Sequence, residues 1–178
     1  MTQMSLLAPS RFGEITTRLA NAGVAVTILP WTDLHLMGRN HDQAVPRGVV
    51  PAEPLRKAGV TCSISTNNVL NPFTPYGDGS LIRMANLCAK VCHVSRPADL
   101  AGCLDMITGS AARLMRLNDY GIVVGAPADL VGLDANNPTG AIATLAQPLW
   151  GITRGRTSFT RPRPELHRPA TSWSPNSH

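Results

Sequence analysis

Two short apolar runs constrain the fold of this chain more than any other feature. Residues 24–29 read Val-Ala-Val-Thr-Ile-Leu and stop at Pro30, and residues 60–65 read Val-Thr-Cys-Ser-Ile-Ser. The first run is apolar without alternation and rich in β-branched residues, which is typical of a strand buried on both faces, as in a parallel sheet. The second run is also strand-like. The sequence therefore predicts two buried strands that are separated along the chain by about one helix.

Helical patterns lie before, between and after the two runs, over residues 10–22, 51–58, 80–95, 98–107 and 110–117. The second of these has Pro51 at its start and Gly59 just past its end, an arrangement that helix termini favour. Ser80 is a candidate N-cap for the third. The order predicts an α/β fold with long loops after both strands. In (β/α) barrels and open α/β sheets, ligands bind at that carboxyl edge.

The pattern changes after Gly121. Residues 128–134 and 148–156 resemble short strands with glycine turns and predict a small β addition. We expect three parts: residues 1–127 as the α/β part, 128–160 as the β addition, and 161–178 as a disordered tail.

Most of the net charge of +5 lies in residues 151–178, which include that tail. Residues 1–150 hold nine Arg and two Lys against ten acids, whereas residues 151–178 hold five Arg against Glu165. Nucleic-acid binding needs a basic face on a folded element, ideally with stacking aromatics, and neither is visible. No apolar stretch is long enough for a membrane span, and no secretory signal is visible, so a cytoplasmic protein is expected.

The four cysteines predict neither a disulfide framework nor a metal site. Without an export signal, free thiols are expected, and Cys88, Cys92 and Cys103 fall on apolar helical positions. Cys88 and Cys92 with His93 lack the spacing of a zinc site. The motifs of serine hydrolases, P-loop proteins, dinucleotide-binding folds, zinc proteases and the Cys-ligated nucleobase deaminases are not found in the sequence.

Longer segments of the chain resemble the metal-dependent amidohydrolases, in the branch that includes bacterial cytosine deaminase. The matching segments, over roughly residues 1–160, are Leu29-Pro30-x-x-Asp33-Leu34-His35-Leu36-x-Gly38-Arg39, Arg47-Gly48-Val49, Gly59-Val60, Asn67-Asn68, Asn71-Pro72-Phe73-x-Pro75-x-Gly77, Ser110-Ala111-Ala112-Arg113-Leu114 and Asp119-Tyr120-Gly121-Ile122-x-x-Gly125-x-Pro127-Ala128-Asp129-Leu130-Val131. The last of these segments, from Asp119 to Val131, is typical of the whole superfamily, whereas the segments around His35 and Phe73 are specific to the branch.

The resemblance implies the C-terminal portion of a (β/α)8 barrel plus part of a small β-sandwich. It also implies a divalent metal, zinc or iron, that acidifies water for attack on a C–N bond of a small heterocycle. The family's metal ligands are a His-x-His pair, two single histidines and an aspartate after the eighth strand. The aspartate aligns with Asn67, Met1 falls near one histidine, and the other histidines have no counterpart. A neutral amide cannot act as the base at neutral pH.

A closed barrel of this type needs about 250 residues. We therefore expect an incomplete chain, with only the last two barrel strands, that holds no metal and is inactive alone. The alternative is a non-catalytic subunit that pairs with a chain carrying the missing strands. A homo-oligomer is also possible on this interpretation, whereas nucleic acid and membrane are not expected partners.

The resemblance places five candidate site residues on the two loops. Asn67 occupies the metal and base position, and Asn68, His35, Asp33 and Phe73 are candidates for substrate contact. Each has a structural alternative. His35 and Asp33 are more simply loop residues, the two asparagines can shape a turn, and Phe73 can anchor the loop as a buried residue. Solvent exposure is the favoured interpretation for His41 and Asp42.

Overall fold

The computed structural model describes residues 4–46 and 48–167. Its helices are α1 Pro9–Asn21, α2 Pro30–Leu36, α3 Ala52–Lys57, α4 Leu81–Val91, α5 Pro97–Met106, α6 Gly109–Leu114 and α7 Pro138–Ala143. Its strands are β1 Val26–Ile28, β2 Cys62–Ile64, β3 Leu130–Leu133, β4 Pro148–Thr153 and β5 Arg156–Thr160. A 3-10 turn, Met4–Leu6, precedes α1. The mixed α/β class is confirmed.

Strands β1 and β2 pair in parallel, as the two apolar runs predict. Val26 lies opposite Cys62 and Ile28 opposite Ile64. All three residues of β2 are buried, and Ile28 is 2% exposed. Each strand is shorter than its run, since pairing covers only three of the six residues.

Helices α3, α4 and α5 cover the parallel pair with apolar side chains. Leu55 and Met84 are fully buried in the cluster that also contains β1 and β2. The N-terminus of α4 is capped as expected, because the Ser80 hydroxyl accepts from the backbone N–H of Arg83 at 3.3 Å. This packing fixes where the two strands end and hence where the following loops begin.

The structure departs from the predicted helices at three places: two helices are missed, and one predicted helix ends early. The long loop expected after β1 begins with α2, because Pro30 at the first turn of this helix supplies a φ already suited to a helix. Helix α4 ends at Val91 instead of residue 95, where His93 adopts a left-handed φ of 55°. Helix α7 starts at an Asn137 side-chain cap, which the sequence analysis did not identify.

Strands β3, β4 and β5 form a separate antiparallel sheet in that order. The predicted strand over 148–156 is a hairpin that turns at Arg154 and Gly155, both with positive φ. Helix α7 is joined to α4 by a buried hydrogen bond of 2.8 Å from Asn86 Nδ2 to the carbonyl oxygen of Ile142.

The expected tail lies largely outside the described residues. Residues 161–167 carry no helix or strand and are exposed, and residues 168–178 are not described. Across the described ranges, none of the helices combines the length and the apolar character required of a membrane span.

Candidate active site

The candidate site is the edge where β1 and β2 end. Because the strands are parallel, both carboxyl ends meet at this edge. Strand β1 leads directly into α2, and β2 leads into a loop over residues 65–79 that ends at the Ser80 cap of α4. Every sequence-derived site residue lies on one of these two connections.

A buried pair of hydroxyls joins the two connections. Thr32 Oγ1 on α2 lies 3.2 Å from Thr74 Oγ1 in the loop after β2, and both residues are buried. The Thr32 hydroxyl also lies 3.3 Å from the carbonyl oxygen of Thr66, which it can reach as a donor. One side chain of α2 therefore fixes two points of the neighbouring loop.

Two aromatic contacts strengthen this junction. The rings of His35 and Tyr76 meet edge to face with centroids 5.8 Å apart. Gly77 has a φ of +117°, and a Cβ at this position would overlap the Trp31 ring. Gly77 belongs to one of the motifs, whereas Tyr76 and Trp31 are not candidates from the sequence, because nothing in the local pattern shows which residues meet across loops.

Asn67 stands at the start of the loop in a conformation that few side chains adopt. Its φ is +62°, in the left-handed region where asparagine is enriched, and its side chain is exposed. Its backbone N–H donates to Ser65 Oγ at 3.5 Å. The exposed amide is thus held at the strand end by the backbone, with its side chain directed away from the core.

The next asparagines shape the turn. Asn71 Nδ2 donates to Asn68 Oδ1 at 2.8 Å, and Asn71 Oδ1 accepts from the backbone N–H groups of Phe73 and Thr74 at 3.0 and 3.1 Å. Asn71 therefore shapes this turn, and the turn-shaping alternative that was given for Asn67 and Asn68 applies in part to Asn68. Phe73 is 61% exposed, so its alternative as a buried anchor is wrong, and Thr74 is the buried residue of this turn.

Asp33 is a buried carboxyl on α2. It is 2% exposed, and its Oδ1 has no hydrogen-bond partner among the described residues. Burial raises the pKa of Asp33 above its ordinary value of 3.8, since the charged form loses its hydration. A buried carboxyl in this state is either protonated or in need of an N–H donor from outside.

His35 lies on α2. It contacts Tyr76 in the loop after β2 and is hydrogen-bonded to Arg39, which follows α2. Arg39 donates from Nε to the carbonyl oxygen of His35 at 3.2 Å, and its terminal nitrogen lies 2.7 Å from His35 Nε2. Because a guanidinium can only donate, Nε2 is the acceptor. His41, five residues after the last residue of α2, is exposed.

The described residues do not fit a divalent metal by themselves. Over 4–46 and 48–167, no group of three or more His, Cys, Asp or Glu side chains could hold an ion. Asp33 Oδ1 has no hydrogen-bond partner among the described residues, and Asn67 offers only a neutral amide. The cysteines are free thiols: Cys62, Cys88 and Cys103 are buried and Cys92 is half-buried.

Comparison with known proteins supports the resemblance. A pterin deaminase from Rhizobium rhizogenes (strain K84 / ATCC BAA-868) is 34% identical over 116 residues, which cover 64% of this chain and 26% of that protein. The crystal structure of 5-methylcytosine deaminase from Klebsiella pneumoniae with 5-fluorocytosine superposes with a TM-score of 0.88 at 29% identity. That match covers 95% of this chain and 41% of the deaminase.

A more distant structure shares the fold and contains zinc. Atrazine chlorohydrolase from Arthrobacter aurescens TC1, complexed with zinc, has a TM-score of 0.62 at 23% identity, over 91% of this chain and 36% of that one. This chain thus spans well under half the length of each of the three proteins. The Amidohydrolase family profile matches residues 3–148, and the chain belongs to that family.

Proposed function

We propose that this chain is the C-terminal part of an amidohydrolase that hydrolyses a non-peptide C–N bond of a small heterocycle. The observation that carries the proposal is the convergence of the two loops at one carboxyl edge, through Thr32 and Thr74. Ligands of (β/α) barrels bind at this edge. The likeness to a pterin deaminase and a 5-methylcytosine deaminase supports a heterocyclic amine as the substrate class.

In this proposal, β1 and β2 are the last two strands of the family's barrel. Within the described residues they pair only with each other, so each has one edge with unpaired backbone groups. Such edges are normally paired or covered. Further barrel strands would pair with both edges and would bring the metal-binding histidines of the family.

The five candidate residues have distinct roles in this arrangement. Asn67 occupies the place of the family's metal-binding aspartate, Asn68 and His35 offer hydrogen bonds to the ring, and Phe73 offers an exposed face for stacking. Asp33 offers a carboxyl to a ring N–H. The metal, where held, supplies an acidified water. Because no three possible metal ligands of the His, Cys, Asp or Glu type lie together among the described residues, we expect the chain alone to be inactive.

A chimera with the Klebsiella pneumoniae 5-methylcytosine deaminase tests the proposal. This chain would replace the 41% of that enzyme that it matches, and ammonia release from 5-methylcytosine would be measured. We expect little release from the chimera with Asn67, and a gain of about 100-fold or more with Asn67→Asp, because the carboxylate restores a ligand and a base. Asn118→Asp, an exposed position outside both loops, is the control.

Two results would overturn the proposal. One is ammonia release by the unmodified chain supplied with zinc. The other is a folded chimera in which Asn67→Asp gives no more release than Asn118→Asp.

A further inference from the structure

A cavity beside α2 is assigned no role by the proposed function. It measures about 450 Å³ and is open to solvent. Its lining residues come from the 3-10 turn, the end of α2 and the segment after it: Leu6, Leu36, Met37, Gly38, Arg39, Asn40, His41 and Pro46. One wall is thus apolar and the other carries the Arg39, Asn40 and His41 side chains.

The polar wall is electropositive. Among the described residues, no Asp or Glu lines the cavity, and Arg39 forms no ion pair with a described carboxylate. Asp42 follows His41 directly but is not part of the wall. A guanidinium that has no acidic partner attracts an anion, and its planar fork matches carboxylate and phosphate oxygens.

The cationic group is held in a fixed place. Both bonds to His35 orient the Arg39 guanidinium and leave other N–H groups free, since arginine has five donors. The backbone N–H of His41 donates to the carbonyl oxygen of Gly38 at 3.1 Å, which closes the turn that carries the polar wall. A donor oriented before binding loses less conformational entropy when a ligand arrives.

The apolar wall is also fixed by contacts. Met37 donates its backbone N–H to the carbonyl oxygen of Asp33 at 3.0 Å, and its sulfur lies 3.9 Å from Ser5 Oγ. The same hydroxyl reaches the carbonyl oxygen of Gly48 at 3.3 Å. These contacts hold the 3-10 turn against the end of α2, so the cavity is formed without a ligand.

We propose that this cavity binds a small organic anion, with a carboxylate or phosphate on Arg39 and an apolar body against Leu6, Leu36 and Pro46. The site is separate from the residues assigned to the heterocycle, and the Arg39–His35 contact connects the two. The inference does not depend on turnover, because binding can be measured on the whole chain without a metal.

Titration of the whole chain with benzoate, followed by NMR at the backbone N–H groups of Gly38 and Asn40, tests this inference. Benzamide is the uncharged probe of the same shape, and inorganic phosphate is the anion without an apolar body. We expect benzoate to saturate these shifts with a Kd of about 1 mM. We expect benzamide and phosphate each to bind at least about fivefold more weakly.

Matched variants identify the donor. Arg39→Gln should weaken benzoate binding about tenfold or more, and Arg39→Lys should recover part of it because the charge remains. Arg96→Gln, at an exposed arginine before α5, should leave binding unchanged. Circular dichroism checks that each variant is folded.

Equal affinity for benzoate and benzamide, or an effect of Arg96→Gln equal to that of Arg39→Gln, would overturn the inference. Neither result would affect the chimera experiment, and a failed chimera would leave benzoate binding as predicted.

Discussion

The hydroxyl oxygens of Thr32 and Thr74 lie 3.2 Å apart in the interior, 42 residues apart in the chain. This contact joins α2, which follows β1, to the loop that follows β2. Because both residues are buried, neither hydroxyl can exchange its partner for bulk water. The position of the candidate site residues on the two loops therefore depends on this pair.

Removal of the Thr32 hydroxyl should destabilise the chain more than removal of the Thr74 hydroxyl. Thr74→Val should lower the free energy of unfolding by about 1 kcal/mol, since the Thr32 hydroxyl keeps the Thr66 carbonyl as acceptor. Thr32→Val should cost about 2 kcal/mol, because it leaves both partners unsatisfied. Urea denaturation measures both. The double variant should cost less than the sum of the two, and full additivity would contradict the contact.

Two glycines of the same loop should differ in their tolerance of a side chain. Both have positive φ, +117° at Gly77 and +74° at Gly79, but only Gly77 faces the Trp31 ring. Gly79→Ala should cost about 1 kcal/mol from backbone strain alone. Gly77→Ala should cost about 2 kcal/mol more, because the methyl group overlaps the ring. Thermal unfolding compares them, and equal losses would show that Trp31 does not pack on Gly77.

Two aspartates should give opposite pH dependence of stability. Burial raises the pKa of Asp33, so its contribution is intact below the ordinary value of 3.8 and is lost as pH rises through the folded-state pKa. The Asp33→Asn variant should therefore become more stable relative to the parent chain as the pH rises from 3.8 through the folded-state pKa of Asp33.

For Asp78, the backbone N–H of Ser80 and the Arg83 side chain hold the pKa below 3.8. Its contribution is intact above 3.8 and is lost as pH falls through the folded-state pKa. Asp78→Asn should lose stability at neutral pH, with a deficit that shrinks in acid. Urea denaturation from pH 2 to 7 measures both variants, and the same sign for both would refute the assignment.

The bond between α4 and α7 should matter for stability although it lies away from the site. Asn86→Ala removes the donor to the Ile142 carbonyl and leaves that oxygen buried. We expect a loss of about 2 kcal/mol in urea denaturation, against less than about 0.5 kcal/mol for the exposed Asn118→Ala. Similar losses for the two variants would contradict the contact.

The sequence predicts the parallel pair because its signal is local. Val26 and Ile28 are β-branched and lie in an apolar run, and burial on both faces selects for that composition. Helix α2 is missed because its polar residues, Asp33 and His35, obscure the apolar period. Pro30 at its first turn is the signal that could have identified it.

The candidate site is predicted only through motif residues. Asn67, Asn68 and Phe73 are candidates because the segment resembles a family, and their placement on one edge follows from parallel strands. Tyr76 was missed because its contact with His35 crosses 41 positions. Contacts between loops depend on tertiary packing, which short-range periodicity does not encode.

Zinc content of the purified whole chain tests the central claim most directly. The claim is that this chain contributes one edge of an amidohydrolase site, and that residues 4–46 and 48–167 do not bring together a complete set of metal donors. After incubation with excess zinc and exhaustive dialysis, elemental analysis should find well under one zinc per chain, and the Asn67→Asp variant should differ little. One tightly held zinc per unmodified chain, accompanied by ammonia release from 5-methylcytosine, would contradict the account.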